Sequence, residues 1–231
     1  MDKIVEILKS CDKFKHNVYY WDHDVLTHEE NQQRNYPAPW IAKTIELLKI
    51  IEGNTIVEIG STRRELTQNC IEYYNSSYRT ESKIAPPCCQ DGHSTYFWAR
   101  EGFEVYTVDI DANCKSILES QYKYHIQESI PSNLHIHAPA DGIEFLKNFD
   151  KKIDLLYLDG WDKGTSQYAE KHLEAFLAAE DKLSKKHLVL IDDTDFITQN
   201  GGKDKFLSPF LIDKGYIPLF NGRQTLFLKY E

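Results

Sequence analysis

The residues of this chain best suited to chemistry are acidic, and they recur at one kind of place. Glu58, Asp109, Asp141, Asp159 and the pair Asp192-Asp193 each stand within or just after a short apolar run. Glu58 lies inside its run, Thr55-Ile56-Val57-Glu58-Ile59-Gly60, two positions before the glycine. A carboxylate there is costly unless it accepts hydrogen bonds. The simplest account is that Glu58 braces the following loop by accepting from its backbone N–H groups. Gly60 lets the backbone turn sharply and approach a neighbour closely. One aspartate after an apolar run reads as a surface residue. A set of them after successive runs reads as groups turned toward a bound molecule.

The elements that must position these acids follow from the apolar pattern. Thr55, Ile56, Val57 and Ile59 are β-branched and read as a buried strand. Further strands are expected at 104–108, 134–138, 153–158 and 187–191. Helical stretches alternate with them. One opens at Pro37-Ala38-Pro39 and stops at Gly53, and another follows Ser94 or Thr95 as its cap. Others run over 112–126, from Ala140-Asp141 to Phe149, over 165–183 and over 204–214. The chain closes with a strand at 216–220, a turn at Asn221-Gly222 and a strand at 224–229. Alternation implies parallel strands, right-handed crossovers and helices on both faces. The expected fold is therefore α/β: a doubly wound, mostly parallel seven-stranded sheet with a C-terminal antiparallel hairpin. Ligands of such sheets bind beyond the carboxyl ends of the strands, where the acids are.

Two stretches stand apart. Residues 1–36 hold an amphipathic helix over 2–15, with Ile4, Ile7, Leu8, Cys11 and Phe14 at helical spacing. An aromatic-rich segment, 16–35, follows; it reads as a lid or as a surface segment pinned by its aromatics. Its Asp22, His23, Asp24 and His28 match no metal-ligand spacing. Within the domain at 37–231, residues 61–90 look like an insertion after the first strand, either shaping a pocket or serving as decoration or an oligomer contact.

Composition bounds the function. A chain of 231 residues with formal charge −9 is sized for one α/β domain and lacks the basic balance of a nucleic-acid scaffold. No apolar run has the length of a membrane span, and the start Met1-Asp2-Lys3-Ile4 lacks a signal-peptide core. Five cysteines, at 11, 70, 88, 89 and 114, read as reduced thiols of a cytoplasmic protein. Cys88-Cys89 has no second pair with which to hold zinc.

Glu58-x-Gly60, an aspartate ending the second strand, Ala-Asp after the third and a closing hairpin resemble the class I S-adenosylmethionine-dependent methyltransferases, whose sheet is Rossmann-like. The resemblance spans about 37–231, with the glycine loop split into Gly60-Ser61 and Asp91-Gly92-His93-Ser94-Thr95 by the insertion. It implies that Glu58 organises this loop, that Gly60 and Ser61 line the methionine part of S-adenosylmethionine, and that Gly92 and Ser94 of the second half also bind the cofactor. Asp109, beside Ile110, would accept from the ribose hydroxyls; a carboxylate can take both at once. Asp141 would accept from the adenine amino group, with Ala140 against the ring. Asp141 reads alternatively as a charge favoured at a helix N-terminus.

The later half, Leu158-Asp159-Gly160-Trp161-Asp162 and Ile191-Asp192-Asp193, looks like the metal-dependent O-methyltransferases of catechol-type and sugar-modifying kinds. That likeness implies Mg²⁺ on Asp159, Asp192 and Asp193, three hard oxygen ligands, gripping the hydroxyl of a small phenolic or sugar-like substrate. The alternative for Asp192 and Asp193 is a helix cap without an ion. Asp162 is the expected general base, with Lys163 as a second candidate; otherwise Asp162 is a solvated turn residue. Relatives of this kind are often homodimers. Two other functions compete. An NAD(P)-dependent oxidoreductase needs a Gly-x-Gly-x-x-Gly turn, but Gly60 is followed by Ser61-Thr62-Arg63-Arg64. A non-catalytic binding module of the same fold is the third reading.

Overall fold

A computed structural model describes residues 3–9, 11, 38–63, 93–162, 165–194 and 201–230. The segment expected as a lid, most of the 61–90 insertion, Gly92 and Lys163 lie outside the described residues.

Helix α1 (residues 3–9) precedes α2 (Ala38–Ile50), which leads into β1 (Thr55–Ile59). The chain continues through α3 (Ser94–Arg100), β2 (Glu104–Val108), α4 (Asn113–Ser120), β3 (Leu134–His137), α5 (Gly142–Asn148) and β4 (Ile153–Leu158). It ends with α6 (Tyr168–Ala179), β5 (Leu183–Ile191), α7 (Leu207–Asp213), β6 (Ile217–Phe220) and β7 (Thr225–Tyr230). The strands form one seven-stranded sheet in the order β3-β2-β1-β4-β5-β7-β6. β1 to β5 pair in parallel; β7 runs antiparallel to β5 and to β6. This is the expected architecture.

Strand periodicity divides the core into two layers. Ile56, Leu155, Tyr157, Leu188 and Leu190 face one side, packed with Trp40, Ile41, Leu48, Phe97 and Trp98. Ile7 and Cys11 of the N-terminal stretch join that layer. Val57, Leu156, Leu158, Val189 and Ile191 face the other side, against Ile143, Leu146, Phe176 and Leu207. No helix among the described residues is long and apolar enough to cross a membrane.

Three local expectations are corrected. Strand β5 begins at Leu183, four residues before His187, because it extends past the core at the amino edge, where Lys185 is exposed and the apolar signal fades. The helix expected over 112–126 loosens after Ser120 into a π-helical turn, Gln121–Ile126. Neither Ser94 nor Thr95 caps α3: the cap position is His93, left-handed at φ 46°, and both hydroxyls turn inward instead.

Candidate functional site

The inward turn of Ser94 and Thr95 is explained by Glu58. On β1, Glu58 shares the face of Ile56, which looks toward α3, and it is fully buried. Its carboxylate accepts from Ser94 Oγ, Thr95 Oγ1, Thr107 Oγ1 and Trp98 Nε1. The brace foreseen through backbone N–H groups is thus made by side chains, which tie α3 and β2 to β1. Burial pushes the Glu58 carboxyl above its ordinary range, and the four donors act the other way.

A cleft of 420 Å³ opens above this brace, at the carboxyl ends of the parallel strands. Gly60, Asp109, Ile110, Ala140, Asp141, Asp159 and Asp162 all line it, brought together from the ends of four elements of the chain. Gly60 is left-handed at φ 92°, and a Cβ there would come within 2.7 Å of the Asp159 and Gly160 backbone. Only glycine lets the loops after β1 and β4 meet this closely. Asp109 accepts from Ser61 N on Oδ2 and from Asp111 N on Oδ1, each at 2.8 Å. The buried Cys114 thiol also bonds to this carboxylate, and the acceptor capacity left over is open to a ligand. Ile110 beside it is 72% exposed, an apolar wall without a protein partner over it among the described residues. Asp141 caps α5, its Oδ1 accepting from Ile143 N and Glu144 N at 2.9 and 3.0 Å. The helix-terminal reading of Asp141 and a ligand role are compatible, because Oδ2 takes neither of these bonds. Ser61 supports Asp109, whereas Ser94 lies under the cleft on Glu58.

At the mouth, Asp162 is clasped by both guanidinium nitrogens of Arg63, with NH2 at 2.8 Å from Oδ1. Burial lifts the Asp162 carboxyl, but Arg63 outweighs it and holds it below its ordinary range.

Asp159, Asp192 and Asp193 converge, each offering one oxygen within 4.8 Å of the others. Asp193 is left-handed at φ 51°, a strained backbone of the kind that clusters at functional sites. Two cations that the sequence reading passed over stand among them. Lys203 Nζ, on a side chain only 1% exposed, lies 2.8 Å from Asp159 Oδ1 and 3.2 Å from Asp193 Oδ2. Arg223 NH2 lies 2.7 Å from Asp193 Oδ1, out of line for a hydrogen bond, and 3.3 Å from Asp192 Oδ2. Gln224 Nε2 donates to Asp192 Oδ1 at 2.7 Å and to Tyr157 OH at 3.0 Å. Burial and the Asp192 charge push Asp159 well up, against Lys203. Burial would lift Asp192 too, but Arg223 and Lys203 bring it below its ordinary range. Burial and Asp192 raise Asp193. Burial would lower Lys203, yet the carboxylates around it keep its ammonium above the usual lysine range. A sequence signal for these cations existed: three acids drawn together and largely out of water require compensating charge, and Lys203 and Arg223 sit on loops at the same sheet edge.

No family model matches the chain, and no curated protein sequence matches it. Solved structures do. The O-methyltransferase TomG of Streptomyces achromogenes, involved in tomaymycin synthesis and crystallised with S-adenosylmethionine, superposes with a TM-score of 0.51 at 13% identity, over 92% of this chain and 95% of that one. A candidate O-methyltransferase of Nostoc punctiforme matches with a TM-score of 0.50 at 14% identity, over 85% of this chain and 57% of its own. At such identities the shared property is the fold, and this chain has the fold of those methyltransferases.

Proposed function

We propose that this protein transfers a methyl group from S-adenosylmethionine to a hydroxyl oxygen of a small phenolic or sugar-like molecule. The observation that carries the reading is the cleft itself. A half-buried carboxylate with acceptor capacity to spare, an exposed aliphatic side chain and a capping aspartate with one open oxygen line one wall at the carboxyl edge of the sheet. Those groups match the diol, ring and amino group of an adenosine.

When bound, the cofactor supplies an electrophilic methyl group. Asp109 would hold the ribose hydroxyls, Ile110 and Ala140 would cover the adenine, and Asp141 would accept from its amino group. Gly60 and Ser61 border the methionine end. Asp162 would take the proton of the acceptor hydroxyl as its oxygen bonds to the methyl carbon and that carbon's bond to sulfur breaks, the thioether leaving as S-adenosylhomocysteine; Lys163 is the second candidate for the base. To act as base, Asp162 exchanges part of its Arg63 pairing for the hydroxyl. Positioning of the two reactants in one cleft supplies much of the rate.

Mg²⁺ does not fit the acidic cluster as this chain builds it. The oxygens it would need already face Lys203, Arg223 and Gln224, so no step is assigned to a divalent ion.

Calorimetry tests the reading. S-adenosylmethionine and its demethylated product should bind, and NADH should not. Asp109→Ala should weaken binding by about 3 kcal/mol, roughly a hundredfold, while the circular dichroism spectrum stays native. Failure of the unaltered protein to bind either sulfur compound refutes the proposal; binding without turnover over a panel of hydroxylated acceptors favours the non-catalytic module.

A further inference from the structure

We propose that Lys203 stands in for the divalent cation of the acidic cluster, so that this protein holds its three aspartates together without a metal and works without one. The statement about metal binding stands by itself; the statement about activity rests on the methyltransferase reading above.

The cluster is neutralised from within. Asp159 Oδ1 accepts from Lys203 Nζ at 2.8 Å, and Asp159 Oδ2 faces Tyr157 OH at 3.4 Å. Asp192 Oδ1 accepts from Gln224 Nε2 at 2.7 Å, and its Oδ2 lies 3.3 Å from Arg223 NH2. Asp193 Oδ1 lies 2.7 Å from Arg223 NH2, and its Oδ2 lies 3.2 Å from Lys203 Nζ. Every carboxylate oxygen of the three residues thus faces a donor of this chain. A bound Mg²⁺ would require near-octahedral oxygen lone pairs at about 2.0–2.1 Å. It would also have to sit against an ammonium that already lies between two of its ligands.

Lys203 is not a surface lysine that happens to lean in. Its ammonium gives its remaining proton to the Asp159 carbonyl at 3.0 Å, and its backbone N–H donates to Asp193 O at 3.2 Å. The preceding residues lock it further. Gly201 O accepts from Tyr168 OH at 2.8 Å, and a Cβ at Gly202 would come within 2.8 Å of the Thr194 carbonyl oxygen. Glycine at 202 is what lets this segment lie against the loop after β5 and deliver the lysine. An ammonium with three protons can bridge two carboxylates and a carbonyl, as a small cation would, but it is held covalently and leaves no open coordination position. Lys203 is therefore a positioning residue, since its donors are spent on Asp159 and Asp193. Without an ion offering vacant positions, nothing in the cluster selects a chelating pair of substrate oxygens, and a single hydroxyl suffices.

The test uses the full chain without cofactor. The unaltered protein is titrated with MgCl₂ and with MnCl₂ by calorimetry, and its melting is followed with either salt or with EDTA. The expected result is no binding heat and no EDTA-sensitive shift. Lys203→Met and Lys203→Ala should melt lower, and millimolar Mn²⁺ should restore part of the loss by entering the vacated cluster. Saturable Mn²⁺ or Mg²⁺ binding by the unaltered protein, or a Lys203→Met variant as stable as the parent in EDTA, overturns the proposal. If both variants fail to fold with and without Mn²⁺, the titration of the unaltered protein decides. S-adenosylmethionine binding is measured in parallel. Its loss only when EDTA is added overturns the lysine assignment, whereas its absence in every buffer refutes the methyltransferase reading and leaves Lys203 standing.

Discussion

Two acidic sites, one buried within the sheet and one largely buried at its edge, are neutralised by opposite means. Glu58 is a single carboxylate, and neutral donors hold it: three hydroxyls and an indole N–H. Asp159, Asp192 and Asp193 are held by an ammonium and a guanidinium, with one amide assisting. The difference is one of charge density. Hydrogen-bond dipoles can support one buried carboxyl, especially one whose proton affinity is raised by burial. Three within 4.8 Å repel one another too strongly for dipoles alone, and the site needs full positive charges.

The largest effect that could break this comparison is expected at Lys203. Replacing it with Met strands two partly buried carboxylates, and urea denaturation should show a loss of about 3 kcal/mol. A loss under about 1 kcal/mol would mean that the cluster does not depend on its ammonium.

Glu58→Gln should cost less, about 1–3 kcal/mol, because the hydroxyls can rotate to suit an amide while Trp98 Nε1–H loses its acceptor. It should also change the pH profile. The folded protein keeps the Glu58 proton to higher pH than the unfolded chain, so this group's share of stability declines as pH rises from about 4.5 through the raised folded value. The Gln variant should lose that component of the profile, and denaturation at several pH values reads it.

His172 provides the contrary slope and a probe of the cluster's charge. It is wholly buried, its Nδ1 bonded to Tyr168 O, and burial first and Lys203 second press its pKa down to about 3. The unfolded chain takes a proton near pH 6.5 that the folded protein refuses. Its contribution is therefore whole above that pH and is lost below it, by up to about 1.4 kcal/mol per unit toward pH 3. His172→Gln should flatten this limb in acid denaturation; an unchanged limb would mean that His172 titrates normally.

The smallest stability effect belongs to Arg63. Its pair with Asp162 is of the same chemical kind as those of the cluster, but both partners are about half exposed. Arg63→Met should cost under about 1 kcal/mol. Its functional consequence is larger. Asp162 loses the charge that depresses it, so the acidic limb of kcat/KM should move to higher pH. An unmoved limb would remove Asp162 from the role of base.

Much of this protein was legible in the sequence. Strand and helix periods gave the sheet, its order of elements and its hairpin, because burial on two faces writes itself as apolar runs at fixed spacing. The acids at the strand ends were legible too, since a polar side chain closing an apolar run marks the edge where the chain leaves the core. What holds those acids was decided only by the tertiary structure. Ser94 and Thr95 read as helix caps, yet they serve Glu58 from more than thirty positions away. Asp159, Asp192 and Asp193 read equally well with an ion or without one. Lys203 and Arg223, on loops that carry no periodicity, supplied the missing charge. Sequence patterns register which residues leave water, but the partner each polar group finds there depends on how distant loops are folded together, and that appears only in three dimensions.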